Sequence, residues 1–180
     1  MKLLIPLLAV GLLLITGCYE EGPLQADMSD PALEPISPVS PVMVPFRGVY
    51  DETFVLVPPF PPPIVNVELN GEGFATYLGK STFFGVLQAD MGVTTGTIVF
   101  SAANGDELEI AAVGFTTPPD ATGAQTFSGD WDVTGGSGRF KNATGSGMYD
   151  GSGNAFTGEG HIIFDGAISQ PTGRKPQVQH

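Results

Sequence analysis

Between Phe46 and Ile168 apolar residues recur at every second position, in short runs punctuated by glycine, and no segment sustains a 3.6-residue period. A period of two places alternate side chains on opposite faces of a strand, so this region is committed to β-structure. The clearest element is GTIVFSAANGDELEIAAVGFT (96–116), in which two alternating runs flank ANGD (103–106). Asn104 and Gly105 both accept positive φ, and this pair predicts a β-hairpin. In the second run Leu108, Ile110 and Ala112 share one face, and Glu107 and Glu109 point the other way.

The remaining runs extend the pattern. FRGVYDETFVLV (46–57) is read as the first strand, with PPFPPP (58–63) as a loop after it. IVNVELNGEGFATYLGKSTFFGVLQ (64–88) supplies two strands, expected to turn near Asn70 to Gly73. In TFSGDWDVTG (126–135) Phe127, Trp131 and Val133 alternate with Ser128, Asp130, Asp132 and Thr134. DGSGNAF (150–156) has oxygen-bearing residues at alternate positions but lacks the later glutamate of a calcium loop, so a β-turn is expected. AFTGEGHIIFDGAI (155–168) closes the set. Seven or eight short strands in one all-β domain, 46–168, predict an antiparallel barrel or sandwich, and closure would remove the exposed edges. Phe127 and Trp131 either line a pocket or fill the core.

The chain carries 19 Asp+Glu against 7 Lys+Arg, a formal net charge of −12. Such a surface repels nucleic acid and anionic membranes, so nucleic acid is not an expected partner. The single cysteine, Cys18, excludes an internal disulfide and a cysteine-rich metal site. No metal site and no cofactor are expected. His161 is the only histidine between 46 and 168 and is read as a packed or surface residue. The chain has no Gly-x-Ser-x-Gly elbow for a hydrolase.

The glycine-rich VTGGSGRFKNATGSG (133–147) could be a phosphate cradle or a corner of the β-domain. It lacks the Lys-Ser/Thr of the Walker form and a following helix, which disfavours a nucleotide site. As a corner, Gly135, Gly136 and Gly138 allow a sharp turn, Arg139 finds a carbonyl or an acid, and Phe140 plugs one end of the barrel.

Residues 1–17 read as a secretory signal: Lys2, then an apolar run from Leu3 to Ile15, too short for a mature bilayer span. Ile15, Thr16, Gly17 and Cys18 resemble the lipobox of bacterial lipoproteins. That resemblance implies cleavage before Cys18, a diacylglyceryl group on its thiol and acylation of the new amino terminus. Tyr19, rather than Asp, after the cysteine implies an outer-membrane location in the bacterial envelope. Residues 18–45, with prolines at 23, 31, 35, 38, 41 and 45, read as an extended tether, and 169–180 as a tail.

TGGSGRFKNATGSG (134–147) resembles the Gly-Gly-Thr/Ser-Gly-Arg/Lys-Phe signature of the allene oxide cyclase and dirigent barrels. GEGFATYLGKSTF (71–83), AANGDELEI (102–110) and FTGEGHIIF (156–164) resemble further segments of that group, in the same order. The resemblance implies an eight-stranded antiparallel β-barrel with an apolar interior. Tyr77 stands where bacterial relatives often have His, and with Phe127 and Trp131 it makes up the candidate barrel-lining set. No position matches the catalytic carboxylate or water-holding residues of the plant cyclases, so the resemblance implies fold and not activity. The expectation is a lipid-anchored envelope protein whose barrel binds a small apolar ligand or another envelope component without catalysis. An isomerase or cyclase in the barrel and a structural homo-oligomer are the alternatives.

Overall fold

The computed structural model describes residues 40–57 and 64–172. The residues read above as a signal peptide and lipobox, including Cys18, together with 19–39, 58–63 and 173–180, lie outside the described residues. Eight strands follow one another: β1 (Met43–Val57), β2 (Ile64–Ala75), β3 (Gly79–Asp90), β4 (Val93–Ala102), β5 (Glu107–Thr116), β6 (Ala124–Gly136), β7 (Gly145–Asn154) and β8 (Glu159–Ser169). A three-residue 3₁₀ turn, Gly138–Phe140, sits between β6 and β7. Each strand pairs antiparallel with the next, and β8 returns to β1, so the sheet is a closed barrel with no free edge.

Alternation sets the inner face. Phe46, Tyr50, Leu108, Ile110, Trp131, Phe164 and Ile168 are almost fully buried, and apart from Ser169 their neighbours in sequence are more exposed. The inward rings of Phe46, Tyr50, Phe83, Phe100, Trp131 and Phe164 pack together in one half of the barrel. Tyr50 meets Phe83 edge-on at 5.2 Å, Phe46 meets Trp131 at 5.5 Å, and Phe100 meets Phe164 at 5.1 Å between ring centroids. Such offset geometry is the one the ring quadrupoles favour.

The first strand begins at Met43, ahead of the expected Phe46, and includes Pro45. Met43 to Arg47 pair with β8 alone, whereas pairing with β2 starts only at Gly48. A proline is tolerated where one side of the strand carries no ladder.

The turn expected near Asn70 to Gly73 lies instead at 76–78, because β2 runs through to Ala75. Gly71 and Gly73 are strand residues whose missing side chains admit neighbours. A Cβ on Gly71 would run into the Phe83 ring, and one on Gly73 into the carbonyl of Val49. The segment 150–156 is likewise not simply a turn: 150–154 belongs to β7, and Asn154 caps the turn that follows, accepting from the amide of Phe156 at 2.9 Å. β7 holds four glycines in ten residues and reads locally as loop. Its glycines answer distant bulk, Gly147 lying under Trp131 and Gly151 under Phe127.

At the hairpin between β4 and β5 only Gly105 takes positive φ, 83°. Asn104 acts through its side chain, donating to Asp106 at 2.8 Å and accepting from the Asp106 amide at 3.2 Å.

Candidate functional site

The two ends of the barrel differ. One is closed by the glycine-rich corner. Gly135 and Gly136 remain within β6 rather than making the turn, and a Cβ on Gly136 would lie 2.6 Å from the Glu107 carbonyl oxygen and 2.8 Å from that of Phe140. Only Gly138 has positive φ there, 57°, and a Cβ on it would collide with the Asp106 carboxylate. Phe140 is fully buried beneath the corner. Arg139 donates from Nε to Asp106 Oδ2 at 2.6 Å and from a terminal nitrogen to the Tyr77 carbonyl oxygen at 3.0 Å. One guanidinium thus ties the β2–β3 turn, the β4–β5 turn and the corner together, by a charge-assisted bond and a fork geometry that Lys lacks.

The opposite end opens into a cavity of about 440 Å³. Its deep wall is made by Leu69, Ile98, Ala112 and Ile162, and its rim by Leu56, Met91 and Phe115. The rim residues are exposed, Met91 to 83%, so the opening presents apolar side chains to solvent. Thr117, Pro118 and Pro119 of the β5–β6 connection border it, and that connection is held by hydrogen bonds between Thr117 and Thr126 and by Asp120 accepting from the amides of Thr122 and Ala124. The volume falls in the range of small-molecule pockets, which are typically concave and mostly apolar, with a few placed polar groups.

Those polar groups converge at the inner end of the cavity. Glu52 is 4% exposed and is the only charged residue among the described lining residues. Its neighbours in register on both sides are glycines, Gly71 on β2 and Gly160 on β8. Its Oε2 is the one buried side-chain oxygen or nitrogen among the described residues with no hydrogen-bond partner. Burial pushes its carboxyl up to about 7. Tyr149 lines the same space, with its hydroxyl hydrogen-bonded to Thr94. Burial raises its phenol above the usual value, the Thr94 bond partly offsets this, and the charges of Asp130 and Glu52 add to the rise.

The expected lining residues are dispersed. Phe127 lines the cavity. Trp131 lies in the aromatic half, 1% exposed, donating its indole N–H to the Met148 carbonyl at 3.0 Å. Tyr77 sits on the β2–β3 turn at the closed end with φ 66°, 39% exposed, and takes no part in the cavity. The β2–β3 hairpin turns at Tyr77, so its side chain leaves the inward phase that a strand position would give it. His161 is exposed and pairs with Asp51 at 3.1 Å on the outer surface. Among the described residues no three His, Cys, Asp or Glu side chains gather as metal ligands.

Sequence reasoning passed over Glu52, Thr94 and Tyr149. Glu52 carried a readable signal: it continues the inward series Phe46, Gly48, Tyr50 two residues on, an acid in the apolar phase of the strand. Tyr149 was hidden among the glycines of β7.

No family model matches the sequence, and no curated protein matches it. Among solved structures, a pterocarpan synthase dirigent protein is similar, with 16% identity and a TM-score of 0.50 over 78% of this chain and 99% of that one. At that identity the likeness concerns the fold, and the chain folds as a closed eight-stranded antiparallel barrel of the dirigent type.

Proposed function

We propose that the barrel is a binding module for a small, largely apolar molecule that enters at the open end and is oriented by Glu52. The cavity carries this reading: about 440 Å³ of space with apolar walls, an exposed apolar rim and a single charged group at its inner end. A barrel whose only purpose was packing would be filled throughout, as its other half is. The test is native mass spectrometry of the protein purified from its host. A co-purifying small molecule lost on Ala89→Trp substitution in the cavity wall supports the reading, and an empty wild-type protein counts against it.

A second reading, isomerisation or cyclisation of the bound molecule, draws support from Glu52, whose carboxyl titrates near neutrality and so suits proton transfer. Conversion of the co-purifying molecule by wild type and not by Glu52→Gln would favour it.

We further propose that the domain is lipid-anchored through Cys18 at a bacterial outer membrane. ITGC (15–18) after an apolar run supports this. Several acyl chains anchor stably, each buried CH₂ contributing about 0.8 kcal/mol. Globomycin should cause unprocessed precursor to accumulate, and unaltered processing would refute the anchor. Self-association of the barrel is a separate structural role, which sedimentation of the purified protein tests.

A further inference from the structure

The Lys and Arg residues within the described part all lie toward the closed end. Arg47 pairs with Asp165 in register and its carbonyl accepts from the Thr76 amide at the β2–β3 turn. Lys80 follows that turn, and Arg139 and Lys141 belong to the corner. The open end carries Asp90, Asp120 and Glu159 instead. Acids at the mouth with Lys and Arg at the far end favour the approach of cations over anions.

At the inner end of the cavity Glu52 has an oxygen without a partner and no Lys, Arg or His among the described lining residues to neutralise it. An unpaired carboxylate in an apolar enclosure is costly, and a donor that also carries positive charge relieves both deficits at once.

We propose that the cavity selects an apolar amine, whose ammonium group pairs with Glu52 while its hydrocarbon body fills the space up to the rim. The proposal rests on the binding reading above and adds the class of ligand. Two separate observations carry it: the orphaned oxygen deep in the cavity, and the segregation of Lys and Arg to the far end. A fatty acid, equally apolar, would meet the ionised Glu52 with like charge and is disfavoured above about pH 7.

The groups around Glu52 that bear on its charge are Tyr149 inside and Asp51, Glu72 and Glu159 in the groove outside, with His161 on Asp51. Because the Glu52 carboxyl titrates near 7, amine selectivity should be present above that pH and fade below it.

The experiment is a fluorescence titration of the full chain in phosphatidylcholine nanodiscs, with empty nanodiscs as blank, using naphthylmethylamine, naphthylmethanol and naphthoate. At about pH 8 the amine should bind about tenfold tighter than the alcohol, and naphthoate more weakly than either. The preference should shrink to about twofold or less at about pH 5 and likewise in Glu52→Gln. Equal binding of amine and alcohol by wild type at the higher pH overturns the selectivity and leaves the cavity reading standing. Amine preference persisting in a folded Glu52→Gln protein also overturns it. Binding of none of the three overturns both. If Glu52→Gln does not fold, the wild-type pH series decides alone.

Discussion

Glu52 on β1 stands opposite Gly160 on β8, and a Cβ added to that glycine would lie 3.0 Å from Glu52 Oε1. The carboxylate therefore occupies space that the neighbouring strand leaves vacant. Its folded pKa, about 7, is above the ordinary 4.5. A raised acid contributes stability that is full below its unfolded pKa and is lost as pH rises through the folded one. Wild type should therefore lose up to about 3 kcal/mol relative to Glu52→Gln between about pH 4.5 and pH 7. Urea denaturation of both proteins across that range measures it, and parallel curves would show that Glu52 is solvated.

Gly138→Val should destabilise the barrel by about 3 kcal/mol. The backbone there has φ 57°, which a β-branched residue resists, and the new side chain would displace the Asp106 carboxylate from Arg139. Thermal and urea melts check this, and wild-type stability in the variant would remove the case for the corner as a structural closure.

Arg139→Met should cost about 2 kcal/mol, since it breaks the bond to Asp106, a side chain only 9% exposed, and the bond to the Tyr77 carbonyl. Arg139→Lys should recover less than half of the loss, because one ammonium cannot reproduce the fork. Full recovery by Lys would mean that charge alone is at work.

Trp131, the single tryptophan of the chain, is 1% exposed in the filled half of the barrel. Its emission should be blue-shifted, resistant to iodide and little changed by a ligand in the cavity. Ready quenching by iodide would place the indole at a solvated position.

Much of the barrel was legible because its hairpins are local. Asn104 and Gly105 announce one turn, and the Leu108, Ile110, Ala112 series declares its inward face without help from elsewhere. β7 was illegible for the opposite reason. Gly147 and Gly151 look like loop residues until Trp131 and Phe127 are placed above them, and that match is made across strands. Asn70 to Gly73 misled in the same way, the glycines there yielding room to Phe83 and Tyr50 rather than reversing the chain. The site was half legible. Phe127 stood out by alternation, whereas Glu52 matters because its partner strands supply glycines at Gly71 and Gly160, a relation only the register reveals.

The claim that the open half of the barrel is a binding cavity is tested most directly by the affinity of neutral naphthylmethanol for wild type and for Ala89→Trp. Ala89 lines the cavity, and an indole there would occupy the space the probe needs. Binding weakened by about tenfold or more in a variant that melts like wild type is the predicted result. Unchanged affinity would mean that the probe binds elsewhere and that the cavity is not the site.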